Sequence, residues 1–122
     1  MQLRDLAIQC YQDSQAWFPD TANDLFFMVA CMAGEAGETL NEAKKVYRGS
    51  TSEEAAREKI LEEAADTLVY CMHIFGQLNA DPQWWYDMVR NKNVARFEPE
   101  NFKSKATLGS RTLRVVRDNP QA

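Results

Sequence analysis

The chain is poor in the residues that most metal and redox sites use. Its 122 residues include one histidine, His73, and three cysteines, Cys10, Cys31 and Cys71, with no Cys-x-x-Cys pair. Zinc sites are built from clustered cysteine and histidine, and no such cluster occurs here. The cysteines are an odd, widely spaced set, each inside a stretch of helical pattern. They read as core thiols of a reducing compartment rather than as a disulfide framework. Long apolar runs are also missing. The segment "LFFMVACMAG", residues 25–34, carries no charge, yet it is far short of the ~20 residues that a membrane span needs. No basic, apolar, small-residue signal opens the chain, so the expected address is cytoplasmic, with no membrane partner. Basic charge is in deficit too: 14 Lys and Arg stand against 18 Asp and Glu, a net charge of −4. That disfavours binding a nucleic acid polymer through its phosphates, which needs a net basic face. An acidic chain can still hold an anionic ligand if a divalent cation bridges the two.

The composition is 45% hydrophobic and 26% charged, ordinary for a globular protein that buries a core. The pattern predicts four helices and a tail. Helix 1 covers about 2–17, where Leu3, Leu6, Ala7, Cys10 and Ser14 form a stripe that Pro19 ends. Helix 2 is expected to start after Asp20 and Thr21, both suitable N-caps, and to run to about Tyr47, with Gly49 just past its end. Helix 3 opens on Thr51 or Ser52, followed by Glu53 and Glu54, and continues to about Asn79. Its apolar stripe is Ile60, Leu61, Ala64, Leu68, Cys71, Met72, Phe75 and Leu78. Helix 4 begins with Asp81 as cap and Pro82 in its first turn, and ends near Ala95. Residues 1–97 thus form a helical domain and 98–122 a tail or arm. The tail carries Lys103, Lys105, Arg111, Arg114 and Arg117, and its "RTLRVV" reads as a short strand or an extended segment. Four helices with short connections argue for an all-α bundle. The first half of helix 2 is apolar nearly all round, so it should be buried on more than one side. A monomer this small would struggle to do that, and self-association is expected.

Helix 2 then changes character. Glu35, Glu38 and Glu42 follow the apolar run within about two turns, and Glu63 and Asp66 repeat the Glu35–Glu38 spacing on helix 3. Residues three apart are neighbours on a helix surface, so each pair can aim two carboxylates at one spot. Both acidic lines run into apolar side chains: Cys31 and Met28 on helix 2, Tyr70 and Ile74 on helix 3. That suggests a partly enclosed acidic cleft. Carboxylates brought together repel, and a hard divalent cation resolves the conflict; all-oxygen ligands favour Mg²⁺ or Mn²⁺. A bound cation of this kind suits attack of water on a phosphoanhydride. Acidic residues at this spacing are also common on plain exposed helices, and that reading stays open.

"GEAGETLNEAKK", 34–45, followed by "EEAADTLVY", 62–70, resembles the all-α nucleotide pyrophosphohydrolase superfamily, which includes MazG and dCTP pyrophosphatase. The family pattern is Glu-Glu-x-x-Glu, a variable gap, then Glu-x-x-Asp. Gly34 stands where the first glutamate would be, as in the dCTP pyrophosphatase branch, so no ligand falls there. The resemblance covers about 15–97 and implies a four-helix bundle of the all-α NTP pyrophosphatase type, self-associating as a homodimer or a tetramer of dimers. It implies Mg²⁺ held by Glu35, Glu38, Glu63 and Asp66, and hydrolysis of a nucleoside triphosphate to the monophosphate and pyrophosphate. Either Glu38 or Glu35 would take the water proton, with Glu38 preferred. "NKNVARFEP", 91–99, is similar to the Asn-x-x-Arg-aromatic ending of these domains and carries over Asn93 and Arg96 as nucleotide contacts. A lysine that often precedes this asparagine falls on Val89, with Arg90 and Lys92 beside it. Trp17 and Phe18 sit where relatives stack the base.

Lys45, two turns beyond Glu38, would neutralise phosphate or simply face water. Tyr70 joins the substrate-binding candidates from its place on the acidic line. His73 would serve the site or make a structural hydrogen bond. Trp84, Trp85 and Tyr86 would form a base pocket or pack at an interface. Three other functions compete: a phosphoribosyl-ATP pyrophosphohydrolase, a relative specific for dUTP or dCTP, and a catalytically silent interaction protein that docks through helix 2. A di-iron carboxylate bundle needs Glu-x-x-His pairs, and the residue three before His73 is Tyr70.

Overall fold

The structure is a computed structural model and describes residues 1–97; the tail, with its basic residues and the "RTLRVV" segment, lies outside the described residues. All the regular structure described is helical: α1 (Leu3–Trp17), α2 (Leu25–Tyr47), α3 (Glu53–Gln77) and α4 (Pro82–Arg96). The chain divides into two compact units, one spanning Met1–Gln83 and the other beginning at Trp84. In the first unit α3 packs against both α1 and α2.

The helix ends follow local chemistry. Ser52 caps α3 by accepting the Ala55 N–H at 3.1 Å, and Asp81 accepts from the Gln83 N–H at 3.0 Å at the start of α4. Gly49 closes α2 at φ 73°, a left-handed conformation that costs glycine nothing. There the Ser50 N–H reaches Lys45 and the Gly49 N–H reaches Val46, which satisfies two terminal carbonyls. Asn79, at φ 52°, ends α3 in the same way. The expected start of α2 is corrected. Asp20 and Thr21 do not cap it, because the N–H groups of Thr21 and Ala22 both turn back to the Phe18 carbonyl. Residues 18–22 are thereby a turn of their own, and α2 begins only at Leu25. Asp24 is its cap and accepts the Phe27 N–H at 3.0 Å.

The core of the first unit is small. Ala7, Cys10 and Met72 are buried together, with Leu6 and Phe75 packed on them. The α1 stripe is borne out at Ala7, Cys10 and Ser14, whereas Leu3 lies exposed. Gly76 sets the distance between α1 and α3. A Cβ there would stand 2.9 Å from both the Ala7 carbonyl carbon and the Tyr11 Cβ, and closer still to the Ala7 carbonyl oxygen. Much of the α3 stripe is not buried: Leu61, Leu68 and Leu78 are exposed. Burial of α2 on more than one side is also not what the single chain provides. Met28 is its one buried residue, while Phe26 is 82% exposed and Phe27 and Val29 are exposed as well. Within the first unit the partner of α2 is α3, which covers one side of it.

Candidate metal centre

The acidic candidates are placed by α2 and α3, which lie side by side. The structure brings Glu35, Glu63 and Asp66 together: one carboxylate oxygen from each lies within 4.8 Å of the others. Glu35 and Glu63 are half-buried, and Asp66 is exposed. Glu38 stands outside this group and is exposed, one turn along α2 from Glu35. Its charge still reaches Glu63. The Glu63 carboxyl is pushed above the ordinary range, first by desolvation, then by the Glu35 carboxylate bonded beside it and by the charges of Asp66 and Glu38. No basic side chain among the described residues forms an ion pair with Glu35, Glu63 or Asp66.

The same local bond occurs on both helices here. The Thr39 hydroxyl donates to the Glu35 carbonyl at 3.1 Å, and the Thr67 hydroxyl to the Glu63 carbonyl at 2.9 Å. Each threonine thus bonds the backbone of a site glutamate one turn back. The apolar continuation of the acidic lines is present as well. Tyr70 is half-buried, and burial, the Cys31 thiol beside its hydroxyl and the charges of Glu35 and Asp66 push it up. Sequence reasoning placed Cys31 on the acidic line but gave it no role at the site. The signal was its position one turn before Glu35. Next to it, the Cys71 thiol lies 3.3 Å from the Met32 sulfur, and burial raises Cys71. All three cysteines are free.

Lys45 is bonded to Glu42 at 2.7 Å, and the Glu42 side chain is only 13% exposed. Glu42 is therefore the partner of Lys45 rather than a continuation of the acidic group. Trp17 and Phe18 are exposed at the end of α1. His73 is wholly buried and makes a structural hydrogen bond to the Ala22 carbonyl at 2.8 Å. In the second unit, Asn93 is half-buried and Arg96 exposed on α4, with the Arg96 guanidinium 5.4 Å from the Phe97 ring centre. Trp84 and Trp85 meet edge to face at 5.0 Å, and both are exposed, as is Tyr86.

Two half-buried carboxylates and an exposed one offer an all-oxygen donor set that could hold a hard cation, and exposed acidic groups of this kind are also common without one. Comparison with known proteins adds no assignment: no family model, no curated protein and no solved structure matches the chain. No helix among the described residues is long and apolar enough to cross a membrane.

Proposed function

We propose that the chain is a Mg²⁺-dependent nucleoside triphosphate pyrophosphohydrolase, releasing a monophosphate and pyrophosphate. The observation that carries this reading is the convergence of Glu35, Glu63 and Asp66 from two helices within 4.8 Å. A second support is the resemblance of residues 34–45 and 62–70 to the all-α nucleotide pyrophosphohydrolases. In this reading Glu35, Glu63 and Asp66 hold the cation, with Glu38 at the margin of the group. Bound there, Mg²⁺ would neutralise phosphate charge and lower the pKa of an attacking water. In this reading Glu38, exposed and outside the three-oxygen group, would take the water proton. Tyr70 offers a hydroxyl beside Glu35 and Asp66, and the raised phenol stays protonated as a donor toward an anionic ligand. Asn93 and Arg96 remain proposed nucleotide contacts, and Trp17 and Phe18 proposed stacking groups. Lys45 remains a proposed phosphate contact, with one of its three N–H groups bonded to Glu42.

The substrate is a (deoxy)nucleoside triphosphate; phosphoribosyl-ATP, dUTP and dCTP are the specific alternatives. The test is incubation with a nucleotide panel, including phosphoribosyl-ATP, in Mg²⁺, with detection of pyrophosphate. The exposed Phe26, Phe27 and Val29 on α2 favour a second reading, an interaction protein that docks through this helix. No turnover with any nucleotide, together with no cation binding, would select it.

A further inference from the structure

The face of α3 that carries Glu63 and Asp66 continues past them. Glu63, Asp66, Tyr70, His73 and Gln77 follow one another at alternating steps of three and four residues, which keeps all five on one side of the helix. Two turns beyond Asp66, about 10 Å along the axis, the His73 side chain is wholly buried. Its Nε2 faces the Ala22 carbonyl at 2.8 Å and Gln77 Oε1 at 3.1 Å. Both are acceptors, so the ring donates there. Nδ1 is also buried and has no hydrogen-bond partner. A buried polar atom left unpaired costs stability, so packing alone gives no reason for a histidine at this place. What the ring supplies is the Nε2 donor. Gln77 adds a second bond, from its amide to the Asn23 carbonyl at 2.9 Å. Tyr11 of α1 completes the group: its ring stands edge-on to His73 with centres 5.2 Å apart, and its hydroxyl donates to Asn23 Oδ1.

These bonds hold the turn that follows Trp17. The Phe18 N–H donates to the Ser14 carbonyl at 2.7 Å, and the Phe18 carbonyl accepts the Ala22 N–H at 2.9 Å. One residue and one hydrogen bond therefore separate the His73 contact at Ala22 from the backbone of Phe18. Trp17 and Phe18 have exposed rings, yet the backbone between them and α3 is bonded at each step. We propose that His73 and Gln77 are positioning residues for the nucleotide base. They fix the Trp17–Phe18 aromatic pair relative to the carboxylates on their own helix face. They thereby set where an aromatic base stacks when its phosphates lie at the acidic group. The inference rests on the reading of that group as a pyrophosphohydrolase site with Trp17 and Phe18 as its stacking groups. Neither His73 nor Gln77 touches the substrate; both act through the turn. A ring on a rigid backbone stacks with little loss of freedom, whereas a ring on a loose turn must be ordered as the ligand binds. That cost falls on binding. The acidic group, two turns away on α3, keeps its own geometry, so the chemical step is spared.

The test is steady-state kinetics on the full chain with the nucleotide that wild type turns over, drawn from dATP, dCTP, dGTP, dTTP, dUTP and phosphoribosyl-ATP. Mn²⁺ affinity is measured on the same preparations by electron paramagnetic resonance. His73→Leu removes the donor and leaves the buried Ala22 carbonyl unpaired. Its KM should rise about tenfold, with kcat and Mn²⁺ affinity within about twofold of wild type. His73→Gln keeps a donor near the Nε2 position and should restore the wild-type KM. With Trp17 and Phe18 both replaced by alanine, His73→Leu should change KM no further, because the rings through which it acts are gone. Gln77→Leu should raise KM in the same way, and it decides alone if His73→Leu fails to fold. An unchanged KM, or a loss that falls on kcat or on Mn²⁺ affinity, would overturn the inference. So would a His73→Gln variant as impaired as His73→Leu, or a full KM effect that persists without the two rings. In each of these cases wild-type turnover, and with it the reading of the site, still stands. No turnover of any nucleotide by wild type removes both.

Discussion

Three carboxylates held within reach of one another, without a basic partner among the described residues, repel, and Glu63 carries the effect. Its carboxyl is raised, so the folded chain keeps a proton there through a range in which the unfolded chain has lost it. The folded state binds more protons across that range, and the stability from this group falls as pH rises. It is fully present below the ordinary glutamate value of about 4.3 and is lost as pH passes the raised value. In the absence of divalent cations, Glu63→Gln should therefore flatten the decline of the thermal midpoint as pH rises above the ordinary glutamate value of about 4.3, relative to wild type. Parallel curves would contradict the coupling. Glu38→Gln and Asp66→Asn should each lower turnover by about a hundredfold or more while the thermal midpoint holds or rises, read from kinetics and calorimetry on the same preparations. Near-normal turnover in either would remove that residue from the site. The spacing of the two acidic pairs made them legible in the sequence, because it fixes which side chains share a helix face. The sequence put both members of the first pair, Glu35 and Glu38, with the second helix's carboxylates. Which of them meets that helix depends on the rotation and height of α2 against α3, and packing puts Glu35, not Glu38, beside Glu63 and Asp66.

At the scale of elements, helix ends were legible where one residue decides them. Ser52, Gly49 and Asp81 with Pro82 are of this kind. The start of α2 was not, because the carbonyl of Phe18 captures the N–H groups of Thr21 and Ala22 and delays the helix to Leu25. Gly76 was not legible either. Nothing in a helical pattern marks the one position where another backbone passes too close for a Cβ. Gly76→Ala gains helix propensity worth about 1 kcal/mol, yet its methyl would press on the Ala7 backbone and Tyr11 Cβ. Backbone on two packed helices yields poorly, and the variant should lose about 1–3 kcal/mol in denaturant unfolding. A variant as stable as wild type or more so would show that α1 and α3 are not held at this distance.

For the whole molecule, the sequence pointed to an all-α chain, and the described residues are helical throughout their regular structure. The same apolar residues that pointed to burial are exposed in the single chain. Phe26 is 82% exposed, and Phe27, Val29, Leu61 and Leu68 are also exposed. Apolar periodicity records that a face is covered, not which chain covers it. Self-association remains our proposal for that face: wild type should sediment as a dimer or larger species, and Phe26→Glu should shift it toward monomer. A wild type that is monomeric at working concentrations would leave the face to another partner. The central proposal is that two carboxylate-bearing helices form a Mg²⁺ site for phosphoanhydride hydrolysis. Its most direct measurement is pyrophosphate release from the nucleotide panel, with Mg²⁺ and with the cation chelated. We predict equal amounts of monophosphate and pyrophosphate from at least one nucleotide, abolished by chelation and restored by added Mg²⁺ or Mn²⁺. Release unaffected by chelation, or no release from any nucleotide, would contradict it.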